Sequence, residues 1–228
     1  MGFLKESYEA LKENIDLHSV TLVAVSKTKP VEDILLAYES GLRDFGENYV
    51  QELCEKHTSL PKDIRWHFIG HLQTNKVKYI APFVYLIHGV DSEKVLLEIN
   101  KQGKKLNKTI NCLLQIHIAK EETKFGLNET ELEIIIEKYF SQHSSHQLEY
   151  VKVCGFMGMA SLSKDTEQIK NEFQWLRSLF NKYQQLQTSN FKPAHLSMGM
   201  SGDYLLALKM GSNMIRIGSL LFGERKNL

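Results

Sequence analysis

Lys27 closes an apolar run, Leu22-Val23-Ala24-Val25-Ser26, and is the residue best placed for covalent chemistry. Desolvation disfavours an ammonium, which is how a lysine at the end of a buried strand becomes able to form a Schiff base with an aldehyde. The ordinary alternative is a lysine whose stem stretches past the strand end into water. Neighbouring Lys29 is expected to stay exposed near a helix start. A second group of residues suits a phosphate. Ser197-Met198-Gly199-Met200-Ser201 and Arg216-Ile217-Gly218-Ser219 each end a short apolar segment in serine and glycine. Ser201 and Ser219 bring a hydroxyl and a backbone donor each, and Gly218 lets a ligand come close; plain helix capping by the two serines is the alternative.

Arg216 stands inside an apolar segment and cannot shed its charge, so it calls for a ligand or a carboxylate, with Glu224 as a structural candidate. Asn48 can hydrogen-bond a ligand heteroatom. Glu47 is a support for Lys27 or Arg216, and either residue can equally cap the next helix. His67 and His71 have a metal-like spacing, but Trp66-His67-Phe68-Ile69-Gly70-His71 reads as a strand entering a turn, where that spacing does not converge on an ion. His88 and His117 close later strands without an acidic partner set, so no metal site is expected.

These residues need a frame that gathers strand ends. Apolar segments rich in β-branched residues recur at Val20–Ser26, Leu42–Gly46, Ile64–Gly70, Val84–Val90, Ile110–Ala119, Leu148–Met157, Ala194–Met198 and Asn213–Ile217. They are continuous runs, as expected of strands buried on both faces of a parallel sheet. Helical patterns lie between them. Pro30 and Gly41 bracket one. Asn128 with Glu131 forms a capping box ahead of another. Ile169, Phe173, Leu176, Phe180 and Tyr183 mark one face of a third. The strand starts fall about 28 residues apart, the length of a strand, turn and helix. Eight such units predict an α/β chain, a single-domain (β/α)8 TIM barrel over 1–228 with an extra N-terminal helix in Met1–Asp16. A doubly wound sheet is the second choice, and no GxGxxG follows a strand to support its dinucleotide-binding form. In a barrel Ser26-Lys27, Gly46-Glu47-Asn48, Gly70-His71, Asp91-Ser92, Met157-Gly158-Met159, Met198 to Gly202 and Arg216 to Ser219 fall at the carboxyl-end face, where barrel enzymes keep their chemistry.

Composition narrows the field. The 28 Lys and Arg nearly balance 27 Asp and Glu, which disfavours nucleic acid as a partner. Three scattered cysteines, Cys54, Cys112 and Cys154, fit a reducing compartment. The N-terminal segment lacks a signal-peptide core, and no apolar run approaches a membrane span. A cytoplasmic monomer is expected. Lys76, Lys78, Lys104 and Lys105 read as solvated charge, with docking or secondary ligand contacts as the alternative.

Five blocks together resemble the pyridoxal phosphate homeostasis proteins: Val23-Ala24-Val25-Ser26-Lys27-Thr28-Lys29-Pro30; Phe45-Gly46-Glu47-Asn48-Tyr49-Val50-Gln51-Glu52; Trp66 to Lys76; Glu121-Glu122-Thr123-Lys124-Phe125-Gly126; and Leu196 to Asp203. The end, Ile215 to Ser219 and Phe222-Gly223-Glu224-Arg225, is also family-like. The resemblance implies a barrel like the N-terminal domain of alanine racemase, carrying pyridoxal 5′-phosphate (PLP) as a Schiff base on Lys27. By motif match Ser201, Gly218 and Ser219 fall around the phosphate. Arg216 takes the place of the arginine that faces the pyridine nitrogen in the racemases, or else helps with the phosphate. With Asn48, Ser197 and Met198 these make up the expected cofactor site. His117 stands where the family often has asparagine, and Gly89 where it often has serine, both expected at the mouth.

The resemblance implies a PLP-binding protein of intracellular vitamin B6 homeostasis without efficient turnover, its candidate recipients being PLP-dependent apoenzymes. The alternative is a PLP-dependent amino-acid racemase, which needs an acid/base on each face of the substrate. The racemases supply the second base from another domain, for which eight βα units in 228 residues leave no room. A phosphosugar-type barrel enzyme using Glu47 as base is a third reading, and it would be colourless.

Overall fold

The computed structural model describes residues 2–15, 19–141, 144 and 148–224. Met1 and Asp16, at the ends of the predicted first helix, and Arg225 of the last motif lie outside the described residues. Eight parallel strands close in sequence order into a barrel: β1 (Thr21–Val25), β2 (Asp44–Glu47), β3 (Arg65–Phe68), β4 (Leu86–Val90), β5 (Ile110–Ile116), β6 (Val151–Gly158), β7 (Phe191–Ser197) and β8 (Met214–Ile217). The predicted barrel is the observed one, and the pairing of β1 with β8 (Leu22 opposite Ile215) rules out the open sheet.

A helix follows each strand. After an N-terminal α1 (Lys5–Asn14) come α2 (Val31–Glu39), α3 (Val50–Ser59), α4 (Val77–Ile80), α5 (Glu93–Leu106), α6 (Glu129–Phe140), α7 (Thr166–Gln184), α8 (Tyr204–Lys209) and α9 (Ser219–Phe222). Local signals set their ends as expected. Pro30 caps α2, and Gly41 follows it at φ +102°. Asn128 and Glu131 form the reciprocal capping box of α6. The Asp165 carboxylate accepts from Glu167 N and Gln168 N at the start of α7. Among the described residues no helix is long and apolar enough to cross a membrane.

Strand parity divides the side chains into two populations. Alternate residues point outward and pack under the helices; Leu22, Ala24, Phe45, Trp66, Phe68, Phe156, Met198 and Ile215 belong to this large apolar cluster. Their neighbours point inward, where Val23, Leu86, Leu113, Met157 and Met214 make a much smaller apolar cluster. The remaining inward space is polar: Asp44, His67, His88, Ser197 and Arg216 are buried there.

Register shifts interrupt three neighbouring seams, β4–β5, β5–β6 and β6–β7. Strand β7 begins at Phe191, earlier than the sequence pattern suggests, and carries Pro193, which cannot donate to a ladder. A register shift between the Val153–Phe191 and Gly155–His195 pairs accommodates it. Gly155 sits there at φ +149°, where a Cβ would meet the His195 carbonyl at 1.9 Å. Across the next seam β7 and β8 share one registered pair, Ser197 with Met214. Side chains supplement it: Asn213 Oδ1 accepts from Leu196 N (2.7 Å), Asn213 Nδ2 donates to Ala194 O (2.7 Å), and Ser212 Oγ donates to Met198 O (2.7 Å).

Candidate functional site

At the carboxyl ends of the strands lies a cavity of about 350 Å³ whose wall includes Lys27, Asn48, Ser201, Arg216, Gly218 and Ser219. Six of the eight residues singled out in the sequence therefore converge. Lys27 follows Val23 and Val25 on the inward face of β1, and its backbone is held from outside by a buried ionic cluster. The Lys56 ammonium, reaching in from α3, donates to Ser26 O (2.8 Å), Glu47 Oε1 (2.7 Å) and Glu52 Oε1 (2.7 Å). Ser26 Oγ donates to Glu47 (2.6 Å) and Thr28 N to Glu52 (2.6 Å). Burial pushes the Glu47 carboxyl up, and Lys56 beside it pulls the other way. Glu47 thus serves the turn that carries Lys27, its hydrogen bonds running to Ser26 and Lys56. Thr28 adopts φ +65°, unfavourable for a β-branched residue and worth about 1–3 kcal/mol of strain. The Lys56 cluster is what holds the turn in that state.

On β8, the strand paired with β1, Arg216 is 4% exposed and has no carboxylate ion-pair partner among the described residues. Its guanidinium donates to Ser197 O (2.9 Å), Ser197 Oγ (2.6 Å) and Gly158 O (3.1 Å). Burial lowers its pKa to about 10, with the Asp203 charge pulling back up. The expected carboxylate is replaced by carbonyls and a hydroxyl; Glu224 is exposed. A guanidinium has five N–H donors, and these contacts use three, so the cation keeps donors and uncompensated charge for a ligand.

Ser197 and Met198 are placed otherwise than expected. Met198 has outward parity and is fully buried beneath the helices, while Ser197 points inward but lies under Arg216. Neither lines the cavity. Lys29 was expected in solvent. Instead its ammonium donates to Phe222 O (2.6 Å), capping the last carbonyls of α9, and its stem lines the cavity. Gly89 is buried with a Cβ position 2.3 Å from Gly70 O, and His117 Nε2 bonds Glu121 O (2.9 Å), so neither lines the cavity. Of the apolar wall residues, Met159 and Met200 lie in strand-end segments expected at the mouth, whereas Val25 and Ile69 are not among the candidates; counting inward parity on from β1 and β3 finds both. Lys76, Lys78, Lys104 and Lys105 are exposed, as expected.

Two features leave room and bonding capacity for an occupant. Asn48 Oδ1 is buried at the wall without a hydrogen-bond partner. A Cβ on Gly218 would meet nothing nearer than Val25 at 3.5 Å, so the protein's own packing does not demand glycine there. Ser201 Oγ accepts from Gly218 N (3.3 Å), tying the loops after β7 and β8 into one rim. His71 stands apart, bonded to Asp91 (2.8 Å) and stacked on Phe125 at 3.9 Å. No group of three metal-ligating side chains converges among the described residues.

The model of the alanine racemase N-terminal domain family matches residues 2–226. A pyridoxal phosphate homeostasis protein of Aquifex aeolicus is 40% identical over 206 residues, covering 90% of this chain and 87% of that one. The human protein of the same name is 39% identical over 214 residues, 90% of this chain and 76% of its own. The chain belongs to the pyridoxal phosphate homeostasis protein family. Among solved structures, PipY of Synechococcus elongatus with PLP bound is 33% identical, with a TM-score of 0.83 over 96% of this chain and 99% of PipY. Alanine racemase of Clostridium difficile, 16% identical with a TM-score of 0.75 over 98% of this chain and 57% of its own, shares the fold. For a pyridoxal phosphate homeostasis protein the wall fits: a lysine, a buried guanidinium, an unpartnered amide oxygen and a glycine rim are the groups that an aldehyde, a ring nitrogen and a phosphate would meet.

Proposed function

We propose that this chain binds PLP in the upper cavity, with Lys27 capturing its aldehyde as a Schiff base, and that it holds the cofactor for vitamin B6 homeostasis without turning over a substrate. The observation that carries this reading is that Lys27 and a buried Arg216, which has no carboxylate ion-pair partner among the described residues, line one cavity. Bound PLP supplies an aldehyde and an electron-accepting ring. Lys27 contributes the amine, and its condensation with the aldehyde releases one water. Arg216 donates to a ring nitrogen or to a phosphate oxygen, both acceptors. The Ser201–Gly218 rim supplies hydroxyl and backbone donors suited to phosphate, and Asn48 Oδ1 accepts from a protonated ring substituent or a bound water.

Holding rather than turnover follows from what the wall lacks. Racemisation needs two acid/base groups flanking one carbon. Besides Lys27, the lining includes Lys29, committed to Phe222 O, and among the described residues no tyrosine, histidine, cysteine or carboxylate. The test is an absorption spectrum of wild type beside Lys27→Ala with added PLP, before and after borohydride. A visible band in wild type, fixed by borohydride onto Lys27 and missing in the variant, is expected. A wild type that stays colourless in excess PLP overturns the cofactor assignment. Alanine racemisation that Lys27→Ala abolishes would overturn the holding role and leave an enzyme.

A further inference from the structure

Beneath Arg216 the interior polar side chains stand in single file across the barrel. Arg216 Nη1 donates to Ser197 Oγ (2.6 Å), which lies 3.3 Å from His88 Nδ1. His88 Nε2 is 2.9 Å from His67 Nδ1, and His67 Nε2 is 3.0 Å from Asp44 Oδ1. Arg65 closes the far end, its Nε donating to Asp44 Oδ1 (2.7 Å) and its Nη2 to Oδ2. Ser197, His88 and His67 are fully buried. Asp44 and Arg65 line a separate cavity at the amino-end mouth, whereas Arg216 lines the upper one, so the file joins the two.

With both imidazoles neutral, the carboxylate end fixes the direction of the bonds along the file. A guanidinium only donates and a carboxylate only accepts. Ser197 Oγ accepts a hydrogen bond from Arg216 Nη1 and donates its own O–H to His88 Nδ1, the bare nitrogen of a ring protonated on Nε2. His88 must then carry its proton on Nε2 and give it to His67 Nδ1. His67 in turn carries its proton on Nε2, toward Asp44. For two neutral rings this is the one assignment in which each nitrogen that donates meets an acceptor and each bare nitrogen meets a donor. Burial first, then the neighbouring His67, Arg216 and His195, hold the His88 imidazole well below its ordinary range and hence neutral. Arg65 and His67 outweigh burial at Asp44 and keep its carboxyl down at about 2, ionised at neutral pH.

We propose that this file is a positioning device: His67, His88 and Ser197 relay the pull of Asp44 to Arg216, fixing the guanidinium so that its remaining N–H groups face the ligand cavity. The grip on an acceptor-bearing ligand, PLP in the reading above on which this part rests, thus depends on a carboxylate at the opposite mouth. Buried polar networks polarise along their length, so a change at one end is felt at the other.

The experiment uses ligand-free protein labelled with [¹⁵N]histidine and [¹⁵N]arginine. Long-range ¹H–¹⁵N spectra are expected to show the proton of both His67 and His88 on Nε2, with each Nδ1 accepting. Asp44→Asn, at the far mouth, is expected to mix the tautomers of both rings and to shift the Arg216 Nε–H signal. Its dissociation constant for PLP, read by absorption titration, should rise about fivefold or more. Ser197→Ala removes a link with little change of volume and should uncouple Arg216 from Asp44 in the same readouts, even where Asp44→Asn folds poorly. A merely structural role would lower melting temperature without moving tautomers. A proton on Nδ1 or a charged ring in wild type overturns the proposal, as does an Arg216 signal unmoved by either variant. Wild type that shows these tautomers yet takes up no PLP would sink the functional reading and leave the file standing.

Discussion

Between the strands and the helices, Phe45, Trp66, Phe68, Phe156 and Phe173 are buried to 1% exposure or less in one continuous apolar layer. Inside the barrel five aliphatic and sulfur-bearing residues cluster beside a file of two histidines, a serine and two charged groups. The two regions are separated only by the alternation of side chains along the same strands. Barrel interiors are commonly filled by bulky branched residues, and polar atoms are costly to bury unless each finds a partner. The difference assigns the regions separate work: the outer layer supplies cohesion, and the interior trades apolar packing for groups whose direction is fixed.

The largest effect expected of that division lies in the outer layer. Phe156→Ala opens a cavity there and should cost about 3–5 kcal/mol in urea denaturation. The affinity of the folded fraction for PLP should stay within about twofold, since distant sites act independently. A matching loss of affinity would erase the distinction between the regions. Acid probes the interior next. The Asp44 carboxyl is held at about 2 against an ordinary 3.8. A depressed folded-state value means its stabilisation is complete above pH 5 and lost as pH falls toward 2. The loss is about 2 kcal/mol, and Asp44→Asn should flatten that part of the acid limb. Equal acid sensitivity in both proteins would put this pair on the footing of a surface ion pair.

Asn128→Ala removes the capping box of α6. It should cost about 1 kcal/mol, seen as a melting temperature lower by about 2–4 °C, with PLP uptake unchanged. Smallest for stability is Gly218→Ala, whose new methyl meets Val25 at an ordinary 3.5 Å. Its stability should move by less than about 0.5 kcal/mol while PLP binding weakens about tenfold as the methyl takes ligand space. Undiminished binding would place the occupant elsewhere in the cavity.

The sequence made the barrel and its mouth readable because both depend on local signals. Apolar runs mark strands, and a residue after a strand end faces the mouth whatever its neighbours do. Lys27, Asn48, Ser201, Gly218 and Ser219 were legible for that reason, and Arg216 because a charge inside an apolar run demands a partner. Ser197 and Met198 were misplaced because depth and parity at the end of β7 depend on a register shift that Pro193 and Gly155 produce jointly from two strands. Lys29 was read as solvent-facing because its acceptor, Phe222 O, lies at the other end of the chain. The interior file was hidden most completely. Asp44, His67, His88 and Ser197 sit on four different strands, and nothing local reports that inward positions on β2, β3, β4 and β7 meet.

The seam between β7 and β8 has a consequence measured in time. Its single registered pair is joined by backbone bonds from Asn213 N to Leu196 O, Met198 N to Met214 O and Arg216 N to Gly199 O and by side-chain bonds from Ser212 and Asn213, while β5 and β6 register six pairs on either side of one shift. Segments with few ladder bonds open most often, so the backbone amides of this seam should be the first in the barrel to exchange with deuterium. The loops that continue from both strands make the Ser201–Gly218 rim, so an occupant bound there acts as a clasp across the gap. Filling the cavity should therefore slow exchange along β7 and β8 before it slows exchange anywhere else, and the escape of the occupant should keep pace with the breathing of that one seam.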